Sequence, residues 1–151
     1  MFPLPALRGI HHLKLAVSDI DVSLDFYERS LGARRIPEAD HRRQEDGSLY
    51  AVILEIPGLG TLLELRRDPH RADLHRGFDP VTIAVSGRAD LDDWDAWLTE
   101  HEVLHSPVII AIQAWLIVIE DPDGNRIRLY TLEQHGPELT VDESNPWIAL
   151  A

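Results

Sequence analysis

The sequence contains no cysteine, a single methionine, and only 14 lysines and arginines against 26 aspartates and glutamates in its 151 residues. Without cysteine there are no disulfides, no thiolate nucleophiles and no sulfur-ligated zinc. Metal chemistry would have to come from the eight histidines and the carboxylates. The net charge of −12 argues against nucleic-acid partners, which need a cationic footprint, and is compatible with a cationic or neutral small molecule. Long apolar runs are missing too. The longest, Val108 to Ile119, is interrupted by Gln113 and falls short of the roughly 20 residues of a membrane span. The start, Met1 to Gly9, is apolar but broken by Pro3 and Pro5, and lacks the basic and apolar regions of a signal peptide. These readings place the chain in the cytoplasm, away from membranes. No glycine-rich phosphate loop is present, and no Ser-His-Asp arrangement is legible from spacing. The 44% hydrophobic content supports one globular domain over residues 1–151.

The informative feature is an internal repeat. Leu13-Lys-Leu-Ala-Val-Ser18 aligns with Val81-Thr-Ile-Ala-Val-Ser86, 68 positions on, with three identities and two aliphatic exchanges. Each segment alternates as a half-buried strand does, and each is followed by a helix start. In the first copy Asp19 or Asp21 caps a helix whose apolar face is Ile20, Leu24, Tyr27 and Leu31, closed by Gly32. In the second, Asp90 is the expected cap, and Leu91, Trp94, Trp97 and Leu98 form the expected buried stripe. Strands are expected over 49–56 and 61–66, then over 108–120 and 126–132, with a further candidate at 33–36. Pro57-Gly58 with Gly60, and Asp121-Pro-Asp-Gly124, supply turns. Gly60-Thr-Leu-Leu-Glu-Leu65 matches Gly124-Asn-Arg-Ile-Arg-Leu129 at the shorter offset of 64. The chain thus divides into a module over about 9–66, a linker at 67–79, a second module over about 80–132 and a tail at 133–151. Pro146-Trp147-Ile148 is apolar enough to dock on the body or on another subunit.

His12-Leu-Lys-Leu-Ala-Val-Ser-Asp19, Ser23-Leu-Asp-Phe-Tyr27, Leu31-Gly32 and the Asp121-Pro-Asp-Gly124 turn before a strand together resemble the vicinal oxygen chelate superfamily. That group includes glyoxalase I, fosfomycin-resistance enzymes, bleomycin-resistance proteins and extradiol dioxygenases. The resemblance covers residues 9 to 132. It implies an α+β fold in which paired βαβββ modules form a cupped, half-open barrel with the helices outside, and it implies a homodimer. Fold alone does not settle the reaction.

Strand parity converts the repeat into chemistry. If Leu13, Leu15 and Val17 face the helix, then His12, Lys14 and Ala16 face the cup. By the same alternation Leu62, Glu64 and Arg66 face it too. The equivalent places in the second half are Pro80 and Arg128, with Thr82, Ala84 and Tyr130 as neighbours. Metal-dependent members of the superfamily take their ligands from these four places. The sequence resembles them at His12 and Glu64 and departs at Pro80, which has no side-chain donor, and at Arg128, which only donates. Glyoxalase I also carries an arginine four places after its first ligand, where this chain has Ala16.

The main expectation is therefore a degenerate metal site with no cofactor, binding a small organic molecule in the cup. Arg128, Tyr130, Trp115, Tyr50, Lys14 and Thr82 are its candidate ligand-binding residues. Arg128 has two possible partners: Glu64, in an ion pair replacing the metal's cross-link, or a ligand's carboxylate or phosphate. The alternative is a metal-dependent lyase or dioxygenase holding a divalent metal through His12, Glu64 and a loop residue such as Asp79, His75 or His105. Glu64 and Lys14 are the candidate acid and base, with a simple ion pair between them as the blander reading. His41, His70, His75, His101 and His135 are read as solvated surface. A purely structural or regulatory module acting through its dimer surface is the third possibility.

Overall fold

The computed structural model describes residues 1–149. Strand β1 spans His12–Val17, helix α1 Ile20–Leu31, β2 Arg34–Arg35, β3 His41–Arg42, β4 Leu49–Glu55 and β5 Leu62–Arg67. A short helix α2 covers Pro69–Leu74. The second half runs β6 Val81–Val85, α3 Arg88–Glu100, β7 Ile109–Ile110, β8 Trp115–Glu120 and β9 Arg126–Thr131. The first sheet has the order β1-β5-β4-β2, with β3 also paired to β4, and the second the order β6-β9-β8-β7. In each, the first strand pairs in parallel with the last, and the remaining pairs are antiparallel. Two βαβββ modules are thus present, and neither sheet closes into a barrel.

Local chemistry explains the elements. Asp19 caps α1 by accepting from Val22 N–H at 3.0 Å, and Gly32 ends it in the left-handed conformation, φ 67°, with its N–H bonded to Glu28 O. In α3 the cap is Gly87, whereas Asp90 lies inside the helix and reaches back to accept from Gly87 N–H at 2.7 Å. Leu91 and Leu98 are buried as expected, whereas Trp97 is 42% exposed. Its indole N–H bonds Ser30 O at 3.0 Å and its ring stacks on His101. The expected strand over 108–120 is broken, because Ala111 and Ala114 close a turn between β7 and β8. The linker is not plain loop: Asp68 caps α2, which has Pro69 at its first turn.

Leu15, Val17, Leu54, Leu63 and Leu65 of the first sheet, Phe26, Tyr27 and Leu31 of α1, Leu91 and Leu98 of α3, and Ile117, Ile119, Ile127 and Leu129 of the second sheet form one continuous core. The helix-facing sides of both sheets thus share that core. The opposite faces, which carry His12 and Glu64 on one sheet and Arg128 and Tyr130 on the other, look away from it. A smaller cluster lies on the face of the second sheet turned away from the helices: Ile109, Ala111, Leu116 and Val118, against which Tyr130, Trp147 and Ile148 pack. The tail docks on its own chain, further held by Arg126, which donates to Trp147 O at 2.8 Å and sits over the indole.

The Asp121-Pro-Asp-Gly124 turn ties the modules together. Asp121 accepts from the backbone of Asp123 and Asn125 and from the Tyr27 hydroxyl, Asp123 accepts from Ser18 N–H, and Asn125 donates to Ala16 O. Among the described residues no helix is long and apolar enough to cross a membrane.

Candidate functional site

Glu64 sits mid-strand on β5, with Lys14 of β1 and Ile53 of β4 as its neighbours in register. Its side chain is 1% exposed, so its charge needs partners. Arg66, two residues along the same face, donates from Nε to Glu64 Oε2 at 2.7 Å. The other oxygen, Oε1, lies 3.6 Å from His12 Nε2 and 3.6 Å from His41 Nε2. Glu64 Oε1 and His12 Nε2 are both buried and have no hydrogen-bond partner among the described residues.

His41 arrives from β3, which pairs with β4 so that His41 lies opposite Ala51. The small side chain there leaves room for an imidazole beside Glu64. His41 Nδ1 donates to Ala39 O at 2.9 Å, which fixes the tautomer and leaves Nε2 toward the carboxylate. The ring also meets Tyr50 edge-on, centroids 5.7 Å apart. Over the face of Tyr50 lie two guanidinium groups, Arg66 at 5.4 Å and Arg43 at 5.6 Å. An open cleft of about 720 Å³ runs beside them, its lining including Arg42, Arg43, Arg66 and Arg67, with Glu45 and Asp68 as the acids.

The expected partners on the second sheet are arranged differently. Arg128 does not reach Glu64; its Nε and Nη2 both bond Asp79 Oδ2, at 2.8 and 2.7 Å. The expected Arg128–Glu64 pair does not form, because Asp79 takes the guanidinium and Arg66 takes the carboxylate. Lys14 neighbours Glu64 in register yet is exposed and forms no ion pair among the described residues, since Arg66 already holds the carboxylate. Trp115 has core parity and packs on the helix side with Ile117, edge-on to His135, so it does not line the cup. Tyr130 has cup parity but is covered by Trp147 and Ile148. Thr82 is exposed on β6 beside Arg128.

None of the three expected substitute ligands contacts Glu64. Asp79 is engaged by Arg128, His105 bonds Asp95 at 2.9 Å and Val103 O at 2.7 Å, and His75 packs on Phe78. His135 is no free surface group either, since both its ring nitrogens meet carbonyl oxygens, of Gly136 and Ala111. Those acceptors raise its pKa above 6.5.

Of the superfamily's four ligand places, His12 and Glu64 come together on the first sheet, 3.6 Å apart, while Pro80 and Arg128 belong to the second module. Pro80 has no donor, and it lines a small apolar cavity with Leu13, Phe78 and Val81. Arg128 brings a cation already paired. Among the described residues no group of three His, Asp or Glu side chains is placed so that it could hold a metal ion.

The sequence signature of the Glyoxalase/Bleomycin resistance protein/Dioxygenase superfamily matches residues 9–129. The chain belongs to this superfamily. Over 127 residues it is 25% identical to the metallothiol transferase FosB of Staphylococcus epidermidis, covering 83% of this chain and 84% of that protein. It is 26% identical over 135 residues to MhqA of Bacillus subtilis strain 168, which carries a ring-cleaving dioxygenase name; the match takes in 86% of this chain but only 42% of that longer relative. Among solved structures it resembles TnmS3, an antibiotic-binding protein from Streptomyces sp. CB03234, with a TM-score of 0.66 at 22% identity over 85% of this chain and 98% of the other. It also resembles the fosfomycin resistance protein FosX of Listeria monocytogenes, with a TM-score of 0.64 at 16% identity over 83% and 94%. At these identities the structural likenesses speak for the fold.

Proposed function

We propose that this chain binds a small organic anion in the arginine-lined cleft beside Glu64, without the four-ligand metal centre of its superfamily. The observation that carries the reading is Tyr50 flanked by the guanidinium groups of Arg43 and Arg66, in a cleft with four arginines on a chain of net charge −12. Global charge favours a cation, but the groups within a few ångströms of a ligand set its binding energy, and bulk charge is screened over about 10 Å. Arginine and tyrosine together suit a planar molecule bearing a carboxylate or phosphonate. Binding without chemistry would parallel the function named for TnmS3.

Calorimetric titration with aromatic carboxylates and phosphonates, beside organic cations of equal size, tests this. Anions should bind, and Arg43→Ala should weaken them at least about tenfold while Arg128→Ala leaves them unchanged. Binding of the cations alone would overturn the reading.

Homodimerisation belongs to the same proposal. Its support is the apolar N-terminal arm, where Phe2, Leu4, Leu7 and Ile10 stand exposed before β1. The tail is not available for that purpose, being docked on its own sheet. A metal-dependent reaction remains the second reading, favoured by the unpartnered atoms of His12 and Glu64.

A further inference from the structure

We infer that the shared core holds a second binding site, for a short-chain carboxylate whose head group meets Lys14 and whose apolar tail lies behind Leu59.

Two cavities carry this. One, of about 80 Å³, lies between β1 and β6, the end strands of the two sheets. The other, of about 100 Å³, lies between the 56–59 turn, β6 and Trp94 of α3. Leu31, Ile56, Leu59 and Ile83 line both and so form the partition. Leu31 is held in α1, Ile83 in β6, and Ile56 is buried. Leu59 differs: it is half-buried and stands in the turn Ile56-Pro57-Gly58-Leu59, closed by its N–H donating to Ile56 O at 3.1 Å. Gly58 at φ 81° and Gly60 at φ 80° flank it, and a Cβ at either would meet nothing within 4 Å. A side chain on such a turn can swing outward without displacing a neighbour. With Leu59 withdrawn, the two cavities become one, larger than the apolar cavity of about 150 Å³ that takes up benzene or xenon.

The lining selects the occupant. Around the first cavity it is aliphatic and aromatic except for Lys14, and around the second it carries no charge. Such walls offer water too few hydrogen-bond partners to hold it, whereas methylene groups would restore the contacts the walls lack. Lys14 is exposed and forms no ion pair among the described residues, so its ammonium is available to an anionic head group. A cationic head would be repelled there, and a second charge on the tail would have to be buried unpaired.

This inference is independent of the anion reading of the arginine-lined cleft, which is tested at Arg43. Calorimetric titration of the full chain with butanoate, hexanoate and octanoate tests it, with 1-hexanol and hexylammonium alongside. Hexanoate should bind at about 1 mM or tighter, and affinity should rise about fourfold for each methylene added from butanoate to hexanoate. Hexanol should bind at least about fivefold more weakly than hexanoate, and hexylammonium more weakly still. Lys14→Gln should bring hexanoate to the level of hexanol and leave hexanol unchanged. Leu59→Phe, which fills the space, should weaken both at least about tenfold with an unchanged circular dichroism spectrum, whereas Leu59→Ala, which opens the partition, should favour octanoate over hexanoate. Absence of hexanoate binding, an affinity indifferent to chain length or to both Leu59 variants, or a loss in Arg43→Ala with none in Lys14→Gln would overturn it.

Discussion

The hydroxyl of Tyr27 on α1 donates a 2.8 Å hydrogen bond to Oδ2 of Asp121, in the turn before β9, and so locks the first module to the second. Tyr27 is fully buried and Asp121 nearly so. Burial raises the Asp121 pKa above 3.8, against the hydrogen bonds from Asn125, Tyr27 and Asp123, which lower it. Burial and the neighbouring carboxylate raise the Tyr27 pKa well above 10.0, so the phenol stays a donor.

Tyr27→Phe should therefore destabilise the fold by about 1 to 3 kcal/mol at neutral pH, read from urea unfolding. A raised folded pKa means that the folded chain binds this proton more tightly than the unfolded chain. Asp121 by itself then opposes folding once the pH climbs above its ordinary value of 3.8 and through its folded value. The penalty of Tyr27→Phe should shrink as the pH falls and Asp121 takes up its proton. A penalty independent of pH would contradict this.

His135 predicts the opposite kind of profile from a cation. Its pKa is raised by the carbonyl oxygens of Gly136 and Ala111, so its stabilising effect is complete below 6.5 and is lost as the pH rises through the folded value. The melting-temperature gap between the wild type and His135→Ala should be widest near pH 5.5 and narrow toward about pH 8.5. A gap that widens with pH would refute the assignment.

Trp147→Ala should remove the half-buried cover from Leu116, Val118 and Tyr130. The expected loss is about 1.5 to 3 kcal/mol, below that of a fully buried tryptophan, measured by denaturant midpoint. Light scattering of a chain lacking residues 137–151 should show the oligomeric state of the full chain, because the tail docks internally.

Gly32→Ala should cost about 1 kcal/mol through backbone strain alone. Its φ is 67°, and a Cβ there would meet only Pro57 atoms at 4.0 Å, an ordinary contact. Thermal unfolding of this variant isolates the conformational term from packing.

The repeat made much of this fold legible. Alternation placed β1, β5, β6 and β9 with the correct sides inward, and Asp19 and Gly32 marked both ends of α1. The gap between β7 and β8 escaped because Ala111, Ile112 and Ala114 prolong an apolar run through a turn. The site was legible by half. Parity tells which side of its own sheet a residue occupies, and so paired His12 with Glu64. It carries no information about how two sheets are placed, and therefore left the partner of Arg128 open between Glu64 and a ligand; in the structure that partner is Asp79. His41 was hidden in the polar stretch Asp40-His41-Arg42-Arg43, and its importance depends on pairing with Ala51 across a two-residue strand. The only hint in the sequence was that small residue among large ones in β4.

Helix α1 packs on the first sheet and α3 on the second, yet the side chains of both layers join in one continuous core, so neither half is expected to stand alone. Each would expose half of a common interior if released, so a chain cut within residues 75–79 should give fragments that are unstructured alone and regain order only when mixed. The repeat should therefore unfold as a single unit rather than as two beads on a string.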